Sequence, residues 1–118
     1  MKKFWILMLL LAAPAHAETD KLDKMMTISS CIAAIEHVAL MMDYTDNPSM
    51  ATIWREGSFP YLRAWEKEFP DLDVYEWADK EYVRMRAKLK ASREIEGGFD
   101  IEWAKTVKYA GNCIKAVM

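Results

Sequence analysis

Residues 22–42, with the sequence LDKMMTISSCIAAIEHVALMM, decide the fold of this chain. Apolar residues recur there every three or four positions, so they form one continuous stripe along a helix of about six turns. The stripe consists of Leu22, Met25, Ile28, Ile32, Ile35, Ala39 and Met42. A second stripe lies near the end of the chain, at Trp103, Val107, Ala110, Ile114 and Val117. Because each helix must bury its apolar face, we expect the two helices to pack against each other.

The chain has two cysteines, and each lies beside one of these stripes. Cys31 belongs to the first helix and Cys113 to the last, 82 residues away. In an oxidising compartment they would form one structural disulfide, which would restrict the unfolded chain by roughly 4–5 kcal/mol in the chain-entropy picture. A redox pair, two free thiols or an intermolecular bridge are the alternatives, but the cysteines lack the Cys-x-x-Cys spacing of redox motifs.

The N-terminus predicts export. Two lysines precede an apolar run over residues 4–13, and the sequence Ala-His-Ala over residues 15–17 has small residues where signal peptidase requires them. We expect a signal peptide over residues 1–17, cleaved after Ala17, and a single periplasmic or secreted domain over residues 18–118. A retained membrane helix is the alternative, but the run is shorter than the roughly 20 apolar residues that cross a bilayer.

Charge argues against some classes of partner. The chain has 16 basic and 18 acidic residues, and two of the lysines would be removed with the signal peptide. The mildly acidic domain that remains is a poor candidate for binding nucleic acid. We therefore expect the partner to be another exported protein, with no nucleic acid and no stable membrane anchor, and the oligomeric state stays open.

Hydrophobic periodicity predicts an all-α domain, a small bundle of about five helices, of which three are long and two are short. The expected helices span residues 22–44, 48–56, 60–69, 73–96 and 101–117. The expected N-terminal caps are Thr19 or Asp20, Asn47 and Asp100. No stretch alternates apolar and polar residues in the way that a half-buried strand does.

Charge is divided along the predicted fourth helix. Acidic residues crowd its start and basic residues crowd its end, which is the polarity that the helix dipole favours. The basic residues are Arg84, Arg86, Lys88, Lys90 and Arg93. A solvated face with charges placed for helix stability explains this pattern. The alternative is a basic face around Arg84 and Lys88 that binds an anionic partner.

Metal binding and catalysis find little support in the sequence. The domain after residue 17 has one histidine, His37, which lies one helical turn before Met41. The two residues are a weak candidate site for copper, because imidazole and thioether groups are suitable ligands for Cu(I). A packing or surface role is the simpler explanation of both residues. His37 lacks the partners of a nucleophilic triad. The sequence also contains no glycine-rich phosphate-binding loop, no Cys-x-x-Cys-His haem-attachment motif and no zinc-binding set of two cysteines and two histidines. We expect no enzyme activity, no catalytic residue and no cofactor.

Aromatic residues are frequent between residues 54 and 69. If the core of a small bundle cannot enclose all of them, some remain exposed and, with arginines nearby, form a protein interface. The predicted partner surface consists of Trp54, Arg55, Tyr61, Arg63 and Trp65. The alternative is that these rings cover one end of the bundle.

The layout resembles small periplasmic helical proteins, among them acid-stress chaperones and the immunity proteins that block type VI secreted amidases. The resemblance rests on the helical architecture, on a cysteine in the first and last helices, and on the fragment Ser30-Cys31-Ile32-Ala33-Ala34. The absence of catalytic sets and the surplus of aromatic residues predict a non-enzymatic protein that binds, inhibits or chaperones another exported protein. The alternative function is a periplasmic carrier of a small apolar ligand or a copper ion.

Overall fold

A computed structural model describes the backbone of residues 2–117 and the side chains of residues 20–117. All regular secondary structure within the described backbone is α-helical, as the sequence predicts. The predicted signal peptide, residues 1–17, and its cleavage site lie outside the residues whose side chains are described.

The helices are α1 (Lys2–Tyr44), α2 (Pro48–Glu56), α3 (Phe59–Glu68), α4 (Val74–Ser92) and α5 (Gly98–Ala116). Gly57 and Ser58 separate α2 from α3, yet both residues keep right-handed helical dihedral angles. The Gly57 N–H also still donates to the Ile53 carbonyl. The two short helices are therefore arms of one bent segment, and the chain has four helical segments rather than the expected five within the described backbone.

α1 is the centre of the fold because it is buried on more than one side. The predicted stripe is confirmed from Met25 to Ala39, whereas Leu22 at its start is 46% exposed. Ala33 and Ala34 are buried as well, and their small side chains let neighbouring helices approach closely. A helix that is apolar on several faces needs cover all round. Helices α2 to α5 supply that cover, since each of them contacts α1.

The predicted disulfide between Cys31 and Cys113 is present and joins α1 to α5. The two Cα atoms lie 5.7 Å apart, so the first and last helices are in contact at this point. Both cysteines are buried, and the Tyr61 hydroxyl donates a 2.5 Å hydrogen bond to the Cys113 carbonyl. The disulfide therefore fixes the α1–α5 pair, and this hydrogen bond attaches α3 to it.

The predicted caps of the first two helices differ from those observed. Thr19 and Asp20 lie inside α1, which begins earlier along the chain, so neither residue caps it. Asn47 precedes α2 as predicted, but its side chain makes no capping hydrogen bond. The side chain of Asp73 does cap α4, because it accepts a 3.0 Å hydrogen bond from the Tyr75 N–H.

The junction between α4 and α5 also differs from the prediction. α4 ends at Ser92 rather than near residue 96, and Gly97, not Asp100, lies at the N-cap of α5. Gly97 has a φ of 71°, a conformation that glycine adopts without strain. A Cβ atom on Gly98 would lie 2.4 Å from the Ser92 carbonyl oxygen. The paired glycines therefore form a sharp turn that brings the two helix ends together.

One helical stretch within residues 20–117, Asp20–Tyr44, is long and apolar enough to cross a membrane. However, 61% of its most apolar window is buried inside the protein, and the stretch contains the core stripe and Cys31. The central helix of a folded domain has the same composition, so packing in the core accounts for this apolar length.

Candidate binding site

The predicted partner surface is largely part of the core. Trp65 is 2% exposed and Tyr61 is 8% exposed, while Trp54 is half-buried against the same core cluster. The Trp65 Nε1–H donates a 2.8 Å hydrogen bond to the Leu72 carbonyl, so the polar group of this ring is also satisfied. Tyr61 and Trp65 therefore lie in the core of this structure and are not exposed to a partner.

The two arginines of the predicted surface have different environments. Arg55 ties α2 to α1, because its guanidinium lies 2.5 Å from an Asp43 oxygen and 3.7 Å from a Glu36 oxygen. Burial raises the pKa of Glu36, and the positive charge of Arg55 opposes that rise. Arg63 is exposed and lines a groove beside α3. Of the five predicted residues, Arg63 alone is exposed and forms no ion pair with another described residue.

The groove beside α3 has a volume of about 440 Å³ and runs along the α3–α4 connection. Three of its apolar side chains are substantially exposed, namely Phe59, Leu72 and Tyr75. Glu66 and Asp73 also line it, so the groove combines apolar rings with acidic groups. Exposed aromatic residues therefore do occur in this region, but at positions other than those that the sequence predicts.

A second cavity, of about 500 Å³, lies between α1, α4 and α5, and is called the His37 cavity below. His37 and Met41 from α1 form part of its wall. The remaining lining residues are Tyr82, Val83, Arg86, Ala87, Leu89, Lys90, Arg93, Phe99 and Trp103. The cavity thus has apolar and aromatic walls with three basic side chains, and no acidic residue belongs to this set.

The imidazole of His37 is enclosed by aromatic rings. Its centroid lies 5.1 Å from the ring of Tyr82 and 5.4 Å from the ring of Trp103, both in edge-to-face geometry. His37 is 5% exposed, and its Nδ1 atom has no hydrogen-bond partner among the described residues. A buried polar atom in that state costs about 1–3 kcal/mol.

His37 is neutral at pH 7. Burial, and to a smaller extent the positive charge of Arg86, lowers the pKa of His37 below its ordinary value of 6.5. A neutral imidazole has one N–H donor and one acceptor nitrogen. The ring can therefore line the cavity without introducing a charge.

Five basic residues in the second half of α4 and just after its end lie on two opposite faces. Because successive residues turn by about 100°, Arg86, Lys90 and Arg93 form one stripe, and this stripe lies at the His37 cavity. Arg84 and Lys88 lie on the other face, where Arg84 forms an ion pair with Glu81. The basic face predicted around Arg84 and Lys88 is therefore not continuous with the three cavity bases.

The arrangement disfavours a metal ion. His37 and Met41 do line one cavity, but no group of three or more His, Cys, Asp or Glu side chains within the described side chains could hold a metal. Arg86 and its two basic neighbours would also repel a cation, since like charges disfavour each other in a partly enclosed site. The cavity has the composition of an organic ligand site, in which apolar walls surround a few polar groups.

Sequence reasoning identified His37 but missed the residues that surround it. Trp103 belongs to the predicted stripe of the last helix, and its approach to His37, like that of Tyr82, depends on tertiary packing that periodicity does not reveal. The three cavity bases could have been found from their spacing, since positions i, i+4 and i+7 share one helical face.

Comparison of the chain with protein-family models, with curated proteins and with solved structures found no match.

Proposed function

We propose that the chain is an exported, non-enzymatic carrier that holds a small organic molecule in the His37 cavity. One observation carries the proposal, namely a cavity of about 500 Å³ whose wall combines apolar and aromatic side chains with three bases and the buried imidazole of His37. Ligand sites for small molecules commonly have volumes of about 300–1,000 Å³, with apolar walls and a few placed polar groups. The His37 cavity matches that description in size and in lining.

The compartment is part of the proposal. The apolar N-terminal segment is compatible with a signal peptide that is cleaved after Ala17, and the Cys31–Cys113 disulfide is compatible with an oxidising space. A periplasmic or secreted carrier would keep its ligand in a domain that the disulfide stabilises. This domain would span residues 18–118.

Native mass spectrometry of the processed protein, expressed as the full chain and purified from the exported fraction, tests the carrier proposal. We expect a bound small mass that dissociates under activation. Ala87→Phe, which places a ring in the cavity lining, should remove this mass. Ala91→Phe is the matched control, because Ala91 is also an exposed alanine of α4 but does not line the cavity.

Two results would contradict the proposal. One is processed protein that carries no additional mass under the gentlest conditions. The other is a bound mass that persists equally in both alanine variants, because the molecule would then occupy some other part of the protein. The total mass of the denatured protein would at the same time establish whether cleavage follows Ala17.

A second candidate function is binding of another exported protein through the groove beside α3. The observation that favours it is the exposure of Phe59, Leu72 and Tyr75, which are 47%, 39% and 59% exposed. Aromatic side chains are enriched in protein interfaces, and tyrosine is frequent at the positions that contribute most to binding. Because Glu66 and Asp73 flank these side chains, the partner segment would be apolar with basic neighbours.

Affinity capture from an exported-protein extract tests this second function. The variants Phe59→Ala and Tyr75→Ala should reduce recovery of a specific partner, because both remove exposed apolar surface without opening the core. Val83→Ala is a control, since Val83 is 65% exposed but lies at the His37 cavity. A partner that is recovered equally with all three variants would exclude the groove as the interface.

A further inference from the structure

We infer that the ligand of the His37 cavity is an amphiphilic organic anion, with a carboxylate, sulfonate or phosphate at the basic rim and an apolar or aromatic body between the rings. This inference rests on the proposed carrier function, and it adds the chemical class of the ligand. The rim is defined by Arg86, Lys90 and Arg93.

The three rim bases form no ion pair with another described side chain. The ion pairs among residues 20–117 use the bases Lys24, Arg55, Arg84 and Lys105, and none of them involves a rim residue. No acidic side chain lines the cavity either. Three positive charges therefore converge on one opening in a chain whose formal net charge is −2, which favours an anion at this place.

Contacts with the cavity rings hold two of the rim charges over apolar surface. The guanidinium carbon of Arg93 lies 5.0 Å from the centroid of Phe99, and that of Arg86 lies 5.7 Å from the centroid of Tyr82. Cation–π contacts of this kind keep the charged group beside the ring face. A ligand that contacts both the basic rim and the cavity rings must present a negative group next to an apolar body.

The inner wall suits an uncharged body. Trp103 and Tyr82 enclose the imidazole of His37, and the ring is neutral at pH 7. The imidazole can exchange one hydrogen bond with a hydroxyl, amide or ring nitrogen of the ligand. A second charged group placed there would lose its hydration without an opposite charge to replace it. The basic rim thus favours a negative group and the inner wall an uncharged group on the same ligand.

A pair of fluorescent probes tests the inference directly. Anilinonaphthalene sulfonate is an amphiphilic anion, and phenylnaphthylamine has the same ring system without the sulfonate. We expect both probes to bind the processed full-length protein and the sulfonate to bind more tightly. Ala87→Phe should abolish the binding of both, and Ala91→Phe should preserve it, as in the test of the carrier proposal.

Rim variants separate the contribution of charge from that of the cavity. Arg86→Gln and Lys90→Gln should each weaken sulfonate binding by about threefold, and the double variant by about tenfold, because an exposed charge pair contributes only modestly to binding in water. Arg84→Gln and Lys88→Gln remove the same charges from the opposite face of α4 and should have no effect. None of the four changes should alter binding of phenylnaphthylamine.

Salt provides a second measurement that needs no substitution. At roughly 1 M salt the screening length falls to about 3 Å, so sulfonate affinity should fall towards that of the neutral probe. If rim variants and salt leave sulfonate binding unchanged while Ala87→Phe still blocks both probes, the carrier function stands and the anionic class is wrong. If neither probe binds in a way that depends on Ala87, the carrier function itself fails, and this inference fails with it.

Discussion

Two aromatic regions of the molecule differ in how completely their polar groups are satisfied. In the α3 region, the Tyr61 hydroxyl bonds to the Cys113 carbonyl and the Trp65 Nε1–H bonds to the Leu72 carbonyl. Around the His37 cavity, Trp103 is half-buried and the Nδ1 atom of His37 has no partner among the described residues. The same residue types thus form a closed core in one place and an open cavity in the other.

This difference distinguishes aromatic residues that stabilise the fold from aromatic residues that could bind a ligand. A ring whose polar atom is bonded and whose faces are packed contributes to stability through burial and has nothing left to offer a ligand. A ring beside an open cavity keeps exposed surface that a further molecule can contact. Substitutions in the α3 region should therefore change the free energy of unfolding, and substitutions at the cavity should change binding.

Removal of the disulfide should have the largest effect and should act on the structural region. The double variant Cys31→Ala and Cys113→Ala is expected to lose roughly 4–5 kcal/mol of unfolding free energy, because an 82-residue loop is no longer closed in the unfolded chain. Urea denaturation of the oxidised protein and of the variant measures the loss. A loss below about 1 kcal/mol would contradict the chain-entropy account of this disulfide.

Truncation of a tryptophan should distinguish the two regions most clearly. Trp65→Ala is expected to cost about 3–5 kcal/mol of stability, because the ring is 2% exposed and leaves a cavity in the core. Trp103→Ala should cost clearly less, since its ring is half-buried, and should instead weaken probe binding at the cavity. Thermal unfolding and probe titration of both variants provide the measurement. Equal losses of stability would remove the proposed distinction between the regions.

Loss of a single hydroxyl group should give a smaller effect of the same kind. Tyr61→Phe leaves the buried Cys113 carbonyl without its hydrogen bond from Tyr61, which should cost about 1–2 kcal/mol. Tyr82→Phe is the matched control, because Tyr82 is half-buried at the cavity and keeps its ring beside His37. Chemical denaturation should show a loss for the first variant only. If the two variants lose equal stability, the hydrogen bond between Tyr61 and the Cys113 carbonyl is not the cause of the loss.

Helical periodicity predicted the elements that are decided locally. The stripe from Met25 to Ala39 and the closing helix follow from spacing alone, and the disulfide follows from the cysteine that lies beside each stripe. The bent segment and the α4–α5 turn were less predictable. At Gly57 the helical backbone continues across a residue that usually ends a helix, and at Gly97 the conformation depends on how closely two helix ends approach.

The distribution of aromatics between core and surface could not be predicted, because it depends on contacts between distant parts of the chain. Tyr61 is buried by its bond to α5, and Trp65 by the connection that follows α3. Periodicity identifies the face of a helix on which a ring lies, but not whether another helix covers that face. His37 illustrates the same limit, since its neighbours Tyr82 and Trp103 come from two other helices.

The smallest expected effect is a pH dependence of stability that comes from His37. Burial lowers the pKa of His37 in the folded state below the ordinary value of 6.5, so the unfolded chain takes up the proton first as the pH falls. Stability is therefore complete above about pH 6.5 and decreases as the pH falls from there through the lower pKa of the folded state. His37→Leu should remove this decrease, which denaturation at several pH values between 7 and 5 measures.

Glu36 provides the control, because its contribution has the opposite sign. Burial raises the pKa of Glu36 above its ordinary value of 4.5, so the folded state holds this proton more tightly and stability falls as the pH rises through that range. Glu36→Gln should therefore steepen the loss of stability on acidification, whereas His37→Leu should flatten it. If both variants change the slope in the same direction, the slope comes from a general loss of packing around α1. Only opposite changes in the slope would show that protonation of His37 causes the loss of stability on acidification.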